Sequence, residues 1–140
     1  MATVLRKTLL IDSSDKSIGV IFPLQRGNSG YFNVSYKTID QVHSNLKNLL
    51  MTKIGEREME PEFGCNIHKA VFEPINSNIE EFIEEKINEA VQKWLPYVLI
   101  DNIEFDISPT NKDRNRIDMD ITYSVDWNNE ELKKLSLIIE

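Results

Sequence analysis

Apolar residues recur along this 140-residue chain with two different periods, and the change from one to the other organises it. The first period is helical. Ile39, Val42, Leu46, Leu49 and Leu50 fall three or four apart and so share one face of a helix. T-I-D-Q (38–41) at its front has the capping-box pattern, in which the Thr38 hydroxyl takes an orphan amide and Gln41 reaches back. Gly55 is a natural left-handed stop once the helix has frayed through Thr52 to Ile54. N-I-H-K-A-V-F (66–72) suits a short helix with Ile67, Ala70 and Val71 on one face, ended by Pro74. A second capping box, Ser77 with Glu80, starts a longer helix. Its inner positions are Ile79, Phe82, Ile83, Ile87, Ala90, Val91 and Trp94, and Pro96 stops it. The outer positions, Glu80, Glu81, Glu84, Glu85, Lys86 and Glu89, read as a solvated face.

The period then becomes two. I-E-F-D-I (103–107) alternates, and so does I-D-M-D-I-T-Y-S-V-D-W (117–127). Such alternation predicts half-buried antiparallel strands, here joined as a hairpin through S-P-T-N-K-D-R-N-R. Asn128, Asn129 and Glu130 predict a turn, and L-K-K-L-S-L-I-I-E (132–140) a third strand. Helices first and strands last give an α+β domain, with two or three helices packed on one face of a small antiparallel sheet. Residues 1–31 read differently. Val4, Leu5, Leu9, Leu10 and Ile11, a polar turn, the run Ile18 to Leu24 and the loop R-G-N-S-G are extended pieces too short for a core of their own. They predict an extended N-terminal arm (1–31), packed on its own domain or on a neighbouring subunit, ahead of a single domain (32–140).

Composition narrows the function classes. A formal net charge of −7 with no basic run disfavours contact with nucleic acid. No apolar run approaches the length of a membrane span, and the N-terminus lacks the apolar core of a signal peptide, so a soluble, intracellularly made domain is expected. A lone cysteine, Cys65, forms no internal disulfide and fits a reducing compartment.

The one stretch dense in chemistry is G-E-R-E-M-E-P-E-F-G-C (55–65). Glycosidic cleavage needs two carboxylates roughly 5–9 Å apart, one kept protonated by burial. Glu56, Glu58, Glu60 and Glu62 supply carboxylates, but nothing apolar singles one out, and a solvated loop is the better reading. Metal binding has little to work with. His43 and His68 lie far apart, and the C-x-x-H spacing of Cys65 and His68 occurs once, without a second pair. No histidine is marked as a base for Cys65, and no glycine-rich phosphate loop is present. The expectation is no catalytic residue, no metal and no cofactor. The rest of the stretch is more specific: Gly55 and Gly64 permit unusual torsions, Pro61 fixes one, Met59 and Phe63 can plug into a core, and Arg57 offers a planar fork for a carboxylate or carbonyls. It reads as an ordered loop, with Arg57 largely buried and Phe63 in the core.

Residues 45–74, N-L-K-N-L-L-M-T-K-I-G-E-R-E-M-E-P-E-F-G-C-N-I-H-K-A-V-F-E-P, resemble the signature of the small baseplate wedge proteins of contractile-tailed bacteriophages, a family that includes a type VI secretion baseplate component. The hallmark positions are Leu49, Leu50, Thr52, Gly55, Arg57, Pro61, Phe63, Gly64 and Cys65, then Phe72 and Glu73. The resemblance continues more loosely over roughly residues 32 to 140. It implies a structural subunit in the tail baseplate of a virion, assembled in the host cytoplasm. Its implied partners are other wedge proteins, the tail sheath protein and tube or hub proteins, with no nucleic acid or membrane. It also implies that the sheet templates the first sheath ring by strand addition, for which Leu132, Leu135, Leu137 and Ile139 offer an edge. Many members carry Glu-Pro-Arg where the long helix gives way to the first strand, to grip the wedge bundle. Here the place reads Leu95-Pro96-Tyr97, so a hydrophobic contact is expected instead. The alternatives are a peptidoglycan hydrolase using two loop glutamates, as the family's older lysozyme-like label implies, or the secretion-system counterpart.

Overall fold

A computed structural model describes residues 16–27, 30–72, 78–106, 116–126 and 128–139. The chain divides into two compact units, Met1–Asn48 and Leu49–Glu140. The expectations for Val4 to Ile11, Pro74, Ser77 and the 108–115 loop lie outside the described residues.

In the first unit a short strand from the stretch expected to be an extended arm pairs with one just beyond it. β1 (Gly19–Val20) pairs antiparallel with β2 (Val34–Ser35), Gly19 opposite Ser35. Backbone bonds from Ile18 N to Ser35 O (2.8 Å) and from Ile21 N to Asn33 O (3.0 Å) lengthen the ladder. Helix α1 (Thr38–Met51) follows, starting where the capping pattern placed it. The Gln41 half of the box is not built as predicted. The Gln41 side chain turns to other partners: its Oε1 accepts from Ser35 Oγ, and its Nε2 donates to Asn45 Oδ1 at 2.8 Å. A tertiary partner for the amide thus replaces the helix's own first turn. The predicted apolar face of α1 is buried at Val42, Leu46, Leu49 and Leu50.

The second unit contains a 3₁₀ segment (Asn66–Phe72), helix α2 (Asn78–Trp94) and strands β3 (Val98–Asp106), β4 (Ile117–Val125) and β5 (Asn128–Ile139). The sheet order is β3-β4-β5, all antiparallel. Ile67 and Ala70, three apart, are both fully buried, as a three-residue turn requires. On α2, Ile79, Ile83, Ile87, Ala90 and Val91 face inward, and the helix lies against β3 and the 3₁₀ segment. One sheet face joins this core. Ile121 stands between Ile103 and Leu135, and Met119 between Phe105 and Leu137. The other face is wet. There Lys134 reaches Asp120 (2.9 Å) and Glu104 (3.5 Å), and so ties all three strands.

Two strand boundaries differ from the pattern. β3 begins at Val98, five residues before the alternation, because a bulge between Ile100 and Asn102 breaks the period of two. β5 begins at Asn128 instead of turning there. Val125 already pairs with Asn128, so the chain reverses earlier than the pattern placed it, with a turn at Asp126.

Candidate functional site

The 55–65 loop closes on itself. Gly55 N donates to Pro61 O at 2.8 Å, Phe63 N to Glu60 O at 3.0 Å and Cys65 N to Thr52 O at 2.9 Å. The Glu56 carboxylate accepts from Lys53 N at 2.9 Å. Gly55 and Gly64 take φ of 90° and 126°, in the region where a side chain is strained. A Cβ on Gly64 would also stand 2.5 Å from Thr52 O, so the close approach that seats Cys65 N on Thr52 depends on glycine.

Its side chains are arranged differently from the expectation. Arg57 is exposed, not buried, and its guanidinium lies over the Phe63 ring, 4.0 Å from the centroid. Phe63 is half-buried and meets Trp94 edge-on at 5.2 Å. Met59 does not plug into a core; it is 96% exposed. The physical reason is where the loop anchors. Phe63 packs against the end of α2, near the surface, and a long cation can cover such a ring while keeping its charge in water. Lys93 completes the cluster, 2.7 Å from Glu62 and 5.1 Å from the Trp94 centroid. Trp94 and Lys93 carry this anchor, and sequence reasoning missed them as such. Helical spacing places Trp94 on the inner face of its helix, but no periodicity links a helix end to a loop 31 residues away.

Glu62 and the Cys65 thiol are both held in their ordinary resting forms. The hydrogen bond from Lys93 holds the Glu62 carboxyl below its usual range, opposite to what a general acid needs. Burial pushes the Cys65 thiol up to about 11, and its Sγ donates to Lys86 O at 3.4 Å. Burial also lowers the His68 imidazole. Among the described residues no three His, Cys, Asp or Glu side chains gather as a metal site.

The other two predicted sites lie apart from the loop in sequence. Leu95 is 8% exposed, Pro96 is exposed and Tyr97 half-buried. Leu95 O accepts from Val98 N at 2.9 Å, and Tyr97 O from Asp126 N at 3.0 Å. Leu135, Leu137 and Ile139 point into the core, whereas Leu132 is 60% exposed. Among the described residues β5 is an edge strand of its sheet.

A family model for baseplate wedge protein gp25 matches residues 37–130, which include the whole loop, α2, β3 and β4. The chain belongs to the gp25 family of baseplate wedge proteins. The gp25 of Enterobacteria phage T4 is 27% identical to it over 96 residues, covering 69% of this chain and 70% of the T4 protein. Among solved structures, a candidate tail lysozyme of Geobacter sulfurreducens is 30% identical, with a TM-score of 0.58 over 74% of this chain and 88% of its own. A chain of the anti-feeding prophage baseplate shares the fold at 18% identity, with a TM-score of 0.57 over 86% of this chain and 82% of its own. In this gp25-family chain the motif's two glycines both have positive φ, and Pro61 O accepts from Gly55 N.

Proposed function

We propose that this chain is a structural, non-enzymatic subunit of the baseplate wedge of a contractile tail. In this reading it docks on other wedge proteins, and its sheet templates the first sheath ring. The observation that carries the reading is the gp25-family match across residues 37–130. The open edge of β5 supports the templating step, since an edge strand offers a row of backbone donors and acceptors to an incoming strand. The core-facing Leu135, Leu137 and Ile139 fix the register of that edge, and the exposed Leu132 is free to touch the added strand. Pro96 and Tyr97 offer the wedge contact, with Leu95 as their buried support. The exposed Tyr31 and Phe32 of the first unit fit an arm that packs on a neighbouring subunit. Assembly takes place in the host cytoplasm before the tail joins the virion.

Electron microscopy of tails made without this chain tests the proposal. Baseplates lacking an attached sheath, restored by supplying the chain, are the expected outcome. Sheathed tails of normal length in its absence would overturn it.

The 30% identical candidate tail lysozyme motivates one rival, a peptidoglycan hydrolase. The lowered Glu62 and the solvent around Glu56, Glu58 and Glu60 argue against it. A turbidity assay on purified cell walls separates the two, and clearing that is lost on Glu56→Gln or Glu62→Gln would favour the enzyme. The genes beside this one separate a phage from a secretion system.

A further inference from the structure

We propose that the tip of the 55–65 loop is a preformed anchor for another protein of the baseplate, with Met59 entering an apolar pocket and Arg57 meeting a carboxylate at that pocket's rim. The inference rests on the baseplate reading and adds a contact surface to it.

A single exposed apolar residue is ordinary on any surface. Met59 differs in its setting. Its side chain is 96% exposed within the turn that the Gly55 N to Pro61 O bond closes, and Met51 and Ile54, just before that turn in sequence, are exposed as well. The tied backbone beneath it loses little freedom on docking, so the ordering cost falls mainly on the side chain. Methionine also adapts to an irregular pocket.

Arg57 points to the chemistry of the rim. Four glutamates flank it in sequence, yet among the described residues it makes no ion pair or hydrogen bond. Glu62 is held by Lys93 at 2.7 Å, and Glu56 accepts from Lys53 N at 2.9 Å. The Phe63 ring occupies one side of the guanidinium and steadies it, and its N–H donors stay available for a forked carboxylate contact. Arginine and methionine are both enriched where interfaces are fully buried. Charge selects the class of partner. The surrounding glutamates and the net charge of −7 repel the polyanionic surfaces of nucleic acid and anionic lipid, while the single Arg57 cation suits an isolated carboxylate beside an apolar pocket.

The test uses assembled tails. A photo-crosslinking residue at position 59 should couple to a second tail protein, whereas the same residue at Glu84, on the outer face of α2, should not. Arg57→Ala with Met59→Ala should enter tails about tenfold less than wild type, and Glu58→Gln with Glu60→Gln should enter normally. Circular dichroism checks that each variant is folded, and the crosslink reads the contact in an otherwise unchanged loop. If wild type enters tails and the Arg57/Met59 variant enters equally, or position 59 couples to nothing or only to a second copy of this chain, the anchor is overturned and the baseplate reading stands. If wild type itself is absent from tails, both fall.

Discussion

The guanidinium carbon of Arg57 stands 4.0 Å from the centre of the Phe63 ring, and that ring meets Trp94 edge-to-face with the two ring centroids 5.2 Å apart. The arginine is the outermost member and the ring the one that packs, so their removal should cost unequal amounts. Arg57→Ala gives up an exposed cation–π contact and should lower stability by less than about 1 kcal/mol. Phe63→Ala loses half-buried aromatic surface together with the Trp94 contact, and about 2 kcal/mol is expected. Urea unfolding of the two variants measures both. A larger loss for Arg57 would mean that its charge is used inside the fold.

The two loop glycines separate backbone strain from steric conflict. Both have positive φ, but a Cβ at Gly55 meets nothing within 4 Å, whereas one at Gly64 meets Thr52 O at 2.5 Å. Gly55→Ala should therefore cost about 1 kcal/mol, the ordinary penalty of a left-handed side chain. Gly64→Ala adds a clash with backbone that holds the loop closed, and on the order of 3 kcal/mol or more is expected. Thermal melting of the pair decides this, and equal losses would mean that the approach to Thr52 relaxes freely.

How much of this was legible beforehand follows from which signals are local. The apolar faces of α1 and α2 and the alternation along β4 are periodic, so they could be read from residue spacing, and burial of Leu46, Ile83 and Ile121 agrees. The resemblance carried the family, through Gly55, Arg57, Pro61, Phe63 and Gly64. What could not be read was tertiary. Gln41 looked like half of a capping box until Ser35 and Asn45 competed for its amide. Arg57 looked buried because its planar fork can hold a carboxylate or carbonyls inside an ordered loop, and only the position of Trp94 shows why the loop anchors at the surface. The bulge near Asp101 has no pattern of its own.

The junction between α2 and β3 calls for a different substitution from the obvious one. Leu95 is 8% exposed, so Leu95→Ala should remove core packing and cost about 2 kcal/mol, close to the lower end for such truncations. Loss of wedge binding in that variant would be uninterpretable. Tyr97 is half-buried, and Tyr97→Ala should leave a folded domain with weaker wedge binding, measured by co-purification with the other wedge proteins. Full retention of binding by a folded Tyr97→Ala protein would remove this junction from the proposed interface.

His68 gives the domain a pH dependence of definite sign. Its ring is partly withdrawn from water, with Nε2 buried and lacking a hydrogen-bond partner. Burial, and then the nearby Lys53 charge, place its folded pKa below the ordinary 6.5. In the window between the folded value and 6.5 the unfolded chain holds a proton that the folded chain does not, so stability rises with pH there. The contribution is fully present above 6.5 and is lost as pH falls through the folded value. Glu62 and Asp120 act in a separate, more acidic window, since Lys93 holds the first below 4.5, and Ser136 with Lys134 holds the second below 3.8. Comparing Tm at about pH 7.5 and about pH 5.5, wild type should lose more stability than His68→Leu. His43 is present in both proteins and cancels in the comparison. An equal loss in the two would show that the buried imidazole accepts its proton without penalty, through a partner gained on protonation.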